Sequence, residues 1–244
     1  MSDCRYGICD GSGFVVDEQE RTTTACRCRP ELIARRRTQS LRSVIPPRFM
    51  NVGFDREPVI GMDPHVVGEV RRYVADIEAN LDSGRGLWFM GDVGNGKTTL
   101  AMLVSRHALE RRRTVAIYSV PRLLGELRRT FSDDAESSYL GLLDRLTSVD
   151  LLHLDDVGAE KSSEWVLEQL YAIVNARYEE QKSIVLTTNL PPDALAAQIT
   201  ERTVSRLIEM CGDPLPLFGD DRRKVMQAPI VRAGGPLRYG ELPT

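Results

Sequence analysis

Residues 86–100 read GLWFMGDVGNGKTTL, an apolar run that passes straight into a glycine-spaced loop ending in Lys-Thr. The run is short, continuous and bounded by glycine, the pattern of a buried strand. The loop Gly91-Asp92-Val93-Gly94-Asn95-Gly96-Lys97-Thr98, with Thr99 behind it, has the GxxxxGKT spacing, and a helix is expected to open at Lys97. Glycines permit positive φ and close backbone approach, so successive N–H groups can turn inward on phosphate oxygens. The helix N-terminus adds its partial positive charge. With that spacing Lys97 reaches the β- and γ-phosphates of ATP and the Thr98 hydroxyl ligates Mg2+. Strand, phosphate loop and helix in that order set an α/β fold. The loop alone says only that a nucleoside triphosphate is held.

Further apolar runs lie on both sides of it: TVAIYSV (114–120), VDLLHLDD (149–156), SIVLTTN (183–189) and a short PLPLF (214–218). Helical segments separate them, notably about 97–112 and 163–180, and Val66, Val67, Val70, Tyr73, Val74 and Ile77 recur at helical spacing before the first strand. Near-continuous strands joined by helices imply a five-stranded parallel sheet covered on both faces. A proline-punctuated connector over 46–64, an ATPase domain over 65–232 and a loose tail over 233–244 follow from the change of pattern. At 244 residues and a net charge of −3, with 42% hydrophobic and 27% charged residues, the chain has an ordinary globular composition. No apolar run reaches membrane-spanning length and the start lacks a signal-peptide pattern, so a cytoplasmic protein without membrane contact is expected.

Three further features surround the phosphate loop. Asp155 and Asp156 end a buried strand, where α/β sheets place their ligands. Asp155 is positioned to hold magnesium, and Asp156, one methylene shorter than the glutamate of many ATPases, to orient the attacking water slowly. Asn189 ends the next strand; its amide either contacts the γ-phosphate or caps the turn before Pro191-Pro192. Arg202 and Arg206 fall at i and i+4 on one helix face, suited either to an adjacent subunit's nucleotide site or to ion pairs with Glu201 or Glu209. Only about 55 residues follow Asn189, too few for the last strand, the tail and a full helical lid. A site covered from one side makes tight binding or hydrolysis dependent on self-assembly or a partner.

The first 45 residues differ in kind. Cys4, Cys9, Cys26 and Cys28 are four of the five cysteines, and no long strand is evident. Four thiolates suit tetrahedral Zn2+, and in a cytoplasmic chain zinc is expected over disulfides. The Cys4-x4-Cys9 spacing departs from the usual two-residue knuckle, with Tyr6 where a cysteine would stand. Cys211 reads as a small buried side chain, and the three histidines, His65, His107 and His153, receive no role. Seven arginines (27, 29, 35, 36, 37, 42 and 48) against Glu31 alone fit a nucleic acid, an acidic protein face or a solvated helix.

Taken together, HLDDVGAEKSSEWVLEQLYAIVNARYEEQKSIVLTTNL, with IPPRF before it, SRLIE near its end and GDDRR in place of the usual GxSxR, resembles the DnaC/DnaI-type bacterial or phage helicase loaders of the AAA+ ATPases, relatives of IstB and DnaA. The resemblance spans about residues 45–225. It implies an AAA+ sheet, an ATP site built from Lys97, Thr98, Asp155 and Asp156, Asn189 as a phosphate sensor and Arg206 as an arginine finger accompanied by Arg202. It places Arg223 at a second sensor, less securely because of GDDRR. It implies loading of a hexameric DnaB-type helicase onto single-stranded DNA, with the cysteine module docking on that helicase. Within VPRLLGELRRTF (120–131), where this clade inserts a DNA-contacting helix, Leu123, Leu124 and Leu127 make an apolar face while Arg122, Arg128 and Arg129 are placed for phosphates; an ordinary amphipathic core helix is the other reading.

Competing functions share part of this set. An IstB-like helper of a transposase has the same core. A small-molecule kinase shares the glycine loop but calls for a substrate pocket and lid. A non-hydrolysing zinc adaptor is disfavoured by intact Lys97, Thr98 and Asp155.

Overall fold

A computed structural model describes residues 4, 6–17, 22–30, 45–130 and 135–219. The expectations for Arg35, Arg36, Arg37, Arg42, Arg223 and the tail over 233–244 lie outside the described residues.

Near the N-terminus two four-residue strands, β1 (Phe14–Asp17) and β2 (Thr22–Ala25), pair antiparallel, with Phe14 opposite Ala25. The remainder is one parallel sheet with helices on both faces. Helices α1 (Pro64–Ala75) and α2 (Ile77–Asp82) lead into β3 (Leu87–Gly91) and then α3 (Lys97–Glu110). Next come β4 (Val115–Ser119), α4 (Val120–Arg129), α5 (Ala135–Ser148) and β5 (Leu151–Asp155). The chain closes with α6 (Glu164–Glu179), β6 (Ser183–Thr188), α7 (Pro192–Ile199), α8 (Glu201–Cys211) and β7 (Leu215–Leu217). The strand order is β4-β5-β6-β3-β7, every pairing parallel. The phosphate-loop strand β3 therefore lies beside β6 and one strand away from β5, which puts the C-terminal ends of all three around one point.

Side chains alternate between two cores, as a pleated strand requires. Leu87 and Phe89 of β3, Leu151 of β5 and Val185 of β6 face α1, α2 and α3. Trp88, Leu152, Leu154, Ile184 and Leu186 face α4 to α8. Because both faces are covered, strands read as unbroken apolar runs. Helix starts obey local chemistry: the Asp63 carboxylate accepts from His65 N at 2.8 Å with Pro64 in the first turn, and Ser163 Oγ accepts from Val166 N ahead of α6. The proline-punctuated residues 46–64 are built into the first core, where Phe49, Val52, Val59 and Met62 are buried with Ile45.

One buried cation ties the second layer together. Arg177 of α6 is fully buried, and its two terminal nitrogens donate to the carbonyls of Leu146, Thr147, Val149, Asp150 and Ser183 at 2.7–3.3 Å. These carbonyls belong to the end of α5, the turn into β5 and the start of β6. Burial lowers its pKa to about 10, so it remains cationic at neutral pH.

Candidate nucleotide site

The loop after β3 takes the shape that its glycines allow. Gly91, Gly94 and Gly96 have φ of 142°, 90° and 96°, the last directly preceding α3. A side chain at Gly91 would meet Leu217 O at 1.9 Å, and one at Gly96 would meet Met62 Cε at 2.1 Å. Both positions need glycine for conformation, and Gly91 also for space, because the atoms in its way are backbone whereas Met62 can shift. Asn95 is buried, and its Nδ2 donates to Leu217 O at 3.0 Å. Its side chain thus anchors the loop to β7. Lys97 is also buried, and Nζ donates to Gly91 O at 2.8 Å and Asp92 O at 2.6 Å.

Opposite the loop, Asp155 Oδ1 accepts two hydroxyls, Thr98 Oγ1 at 2.9 Å and Thr187 Oγ1 at 2.8 Å. Thr187 Oγ1 in turn accepts from Asp156 N at 2.9 Å, so one β6 side chain positions both acidic residues. Asp156 holds a left-handed φ of 58°, a conformation that aspartate adopts more readily than most residues with a side chain. His153, fully buried, approaches Asp155 Oδ1 with Nε2 at 3.8 Å, while its Nδ1 lies 3.0 Å from Ser105 Oγ. Burial raises the Asp155 pKa, but His153, Thr187 and Thr98 outweigh it, and the net direction is down. Asp155 is therefore held ionised.

A cleft of about 340 Å³ joins these groups, lined by Val93, Gly94, Gly96, Lys97, Thr98 and Thr99 on one side and Asp155, Asp156 and Asn189 on the other. Leu190 N donates to Thr188 Oγ1 at 3.1 Å, and no side chain caps α7, so the turn is held without Asn189. Arg48 and Pro58 also line the cleft. Arg48, expected only within the arginine cluster, and Thr187 and His153, for which no part is expected, thus join the site. A polar residue inside a buried strand was the available signal for the latter two. Arg48 had none, because the contact is nonlocal. The donor set fits a magnesium–triphosphate: two hydroxyls already bracket one carboxylate, and a buried amine faces the loop.

Arg202 and Arg206 do not line this cleft. Their guanidiniums lie 4.6 and 4.8 Å from the Tyr171 ring of α6, and Arg206 also sits 5.5 Å from Tyr178. Arg206 Nη1 is buried without a hydrogen-bond partner. Glu209, the considered ion-pair partner, instead accepts from Tyr178 OH at 2.7 Å. On α4, Leu123, Leu124 and Leu127 are buried as expected, whereas Arg122 pairs with Glu126 at 3.1 Å and Arg128 lies 5.1 Å over Trp165. Arg129 is exposed. The helix is thus amphipathic, with Leu123, Leu124 and Leu127 packed on the core and its arginines on the outer face.

The four N-terminal thiols converge despite the irregular spacing. All lie within 4.8 Å of one another, with Cys4–Cys26 at 3.9 Å and Cys9–Cys28 at 3.5 Å. Tetrahedral zinc with bonds of about 2.3 Å sets its sulfurs about 3.8 Å apart, so the cluster fits that ion. Gly7, with φ of 62°, closes a turn back to Cys4 O. The N–H of Cys9 leads those of Ile8 and Tyr6 in lowering the Cys4 thiol to about 6 against opposing burial. Cys211 stands apart: its Sγ faces Ile184 O at 3.6 Å, and burial pushes it up to about 12. Among the described residues no helix is long and apolar enough to cross a membrane.

The family profile described as IstB-like ATP binding protein matches residues 61–208. The replicative helicase loader DnaC of Buchnera aphidicola (strain APS) is 26% identical over 167 residues, covering 68% of this chain and 67% of its own. Protein XkdC of the phage-like element PBSX of Bacillus subtilis is 28% identical over 222 residues, 86% of this chain and 80% of its own. A crystal structure of the DnaC helicase loader superposes with a TM-score of 0.60 at 26% identity, covering 71% of this chain and 99% of that one.

Proposed function

Since the chain belongs to the IstB-like ATP binding protein family, we propose that it is an ATP-dependent loader that delivers a hexameric DnaB-type helicase to single-stranded DNA. The observation that carries this reading is a cleft that gathers Lys97, Thr98, Asp155, Asp156 and Asn189 while the chain's own arginine pair, Arg202 and Arg206, lies outside it. Such a site is finished by a neighbour, as in a switch that acts through assembly.

In this reading Lys97 leaves the carbonyls of Gly91 and Asp92 for the β- and γ-phosphates, joined by the loop N–H groups. Thr98 and Asp155 hold magnesium, which neutralises phosphate charge. Thr98 and Asp155 already share a hydrogen bond at 2.9 Å, so the two groups that would hold the ion stand side by side before it binds. Asp156 accepts the proton of the attacking water, Asn189 hydrogen-bonds the γ-phosphate, and Thr187 keeps both acidic residues in register. Arg48 lines the same cleft with a further positive charge. Arg223 is assigned to the nucleotide by the resemblance alone. The four thiols hold zinc and shape the module that grips the helicase.

The full-length chain is expected to carry about one zinc, its four thiolates completing the tetrahedral set, and to retain a DnaB-type hexamer from a host extract. Cys9→Ser with Cys28→Ser should lose both, with ATP binding intact. Recovery of a transposase instead would move the chain to the IstB-like helper role.

DNA contact has its own optical reporter. Trp88 is fully buried, whereas Trp165 is part-buried beneath Arg128. Oligo-dT is expected to change Trp165 fluorescence. Arg122→Gln with Arg129→Gln should weaken binding and lower the log–log salt slope by about 1.4, at roughly 0.7 per single-strand phosphate contact. An unaltered affinity and slope would remove these two arginines from the DNA path.

A further inference from the structure

Helices α7 and α8 pack on each other and leave a groove of about 660 Å³ between them. Ala196, Val204 and Ile208 give it apolar side chains, and Ile208 is 40% exposed. Asp193, Glu201 and Glu209 stand in the same lining, which contains no basic residue. The two arginines of α8 offer no neutralisation within it, because they stack on Tyr171 of α6. The groove therefore suits a segment that brings aliphatic side chains together with several cations and no acid.

This chain contains such a segment beyond the described residues. Residues 224–238, KVMQAPIVRAGGPLR, carry Lys224, Arg232 and Arg238 and no acidic residue. Val225, Met226, Ile230, Val231 and Leu237 supply the aliphatic groups. Three cations match three carboxylates. We propose that the α7–α8 groove is the docking site of residues 224–238. Docking covers Ile208 and satisfies the acidic lining.

The test uses the full-length chain with the photoreactive p-benzoyl-phenylalanine at position 208, followed by irradiation, digestion and mass spectrometry. Adducts on residues 224–238, within one chain or between two, are the expected result. Asp193→Lys with Glu201→Lys should reduce their yield about tenfold, the combined effect of losing and reversing exposed ion pairs. Adding Lys224→Glu, Arg232→Glu and Arg238→Glu to that variant should restore it, since charge exchange recreates the pairing. Adducts on any other segment, no adducts, or a yield indifferent to both charge changes would overturn the proposal.

Discussion

Replacing Arg177 by methionine is expected to destabilise the chain by about 4 kcal/mol, in the range seen when a buried charge that bonds through several donors is deleted. Methionine keeps much of the apolar stem but supplies no donor. Five carbonyls, those of Leu146, Thr147, Val149, Asp150 and Ser183, lose a partner together. The bonds to Leu146 and Ser183 are buried and the other three part-buried, so much of this desolvation is left uncompensated. At 2–4 °C per kcal/mol for a chain of this size, the melting temperature should fall by about 10 °C. Arg177→Lys should recover part of the loss, because one ammonium has three donors and cannot span the same fork. A melting temperature within a degree or two of the parent would mean that these carbonyls find other donors when the guanidinium is gone.

Arg177 also shows where sequence reading stops. The phosphate loop was readable because its chemistry is local: eight consecutive residues carry the glycines, the lysine and the threonine. The five sheet strands were readable because burial on both faces leaves unbroken apolar runs, although β5 is shorter than expected, Leu151–Asp155 against 149–156. The β1–β2 pair escaped notice because β2 is Thr22–Ala25, exposed throughout, with no apolar alternation to betray it. An arginine amid IVNARY looks like a surface charge until the fold brings five carbonyls around it. Residues 46–64 read as a connector because prolines punctuate them, yet the residues between the prolines are core. His153 and Thr187 lay in plain view inside apolar strands. Their polarity was the signal, but Thr187 reaches the Asp155 carboxylate only once β5 and β6 lie side by side, and His153, two residues before Asp155 on β5, meets Ser105 only when α3 stands over the sheet.

Mixing two inactive variants is expected to restore ATP turnover, and this bears most directly on how the site is completed. Arg206 stacks on Tyr171 and Tyr178, has a buried nitrogen without a partner, and does not line the cleft of its own chain. If it serves a neighbour, Arg206→Ala should lower turnover about 10³-fold, the lower end for loss of an arginine finger. ATP affinity of the isolated chain should not change, since Lys97, Thr98 and Asp155 remain. Asp156→Asn should also abolish turnover and spare binding, because the amide no longer accepts the water's proton. In an equal mixture, a productive site needs Asp156 from an Arg206→Ala chain and Arg206 from an adjacent Asp156→Asn chain. Random head-to-tail association gives that combination at about a quarter of sites, so about a quarter of parental turnover should return, rising with protein concentration. Were Arg206 to act within its own chain, the mixture would stay as inactive as its components at every concentration. The complementation assay therefore separates a finger in trans from a merely structural arginine, which loss of activity in the single variant cannot do.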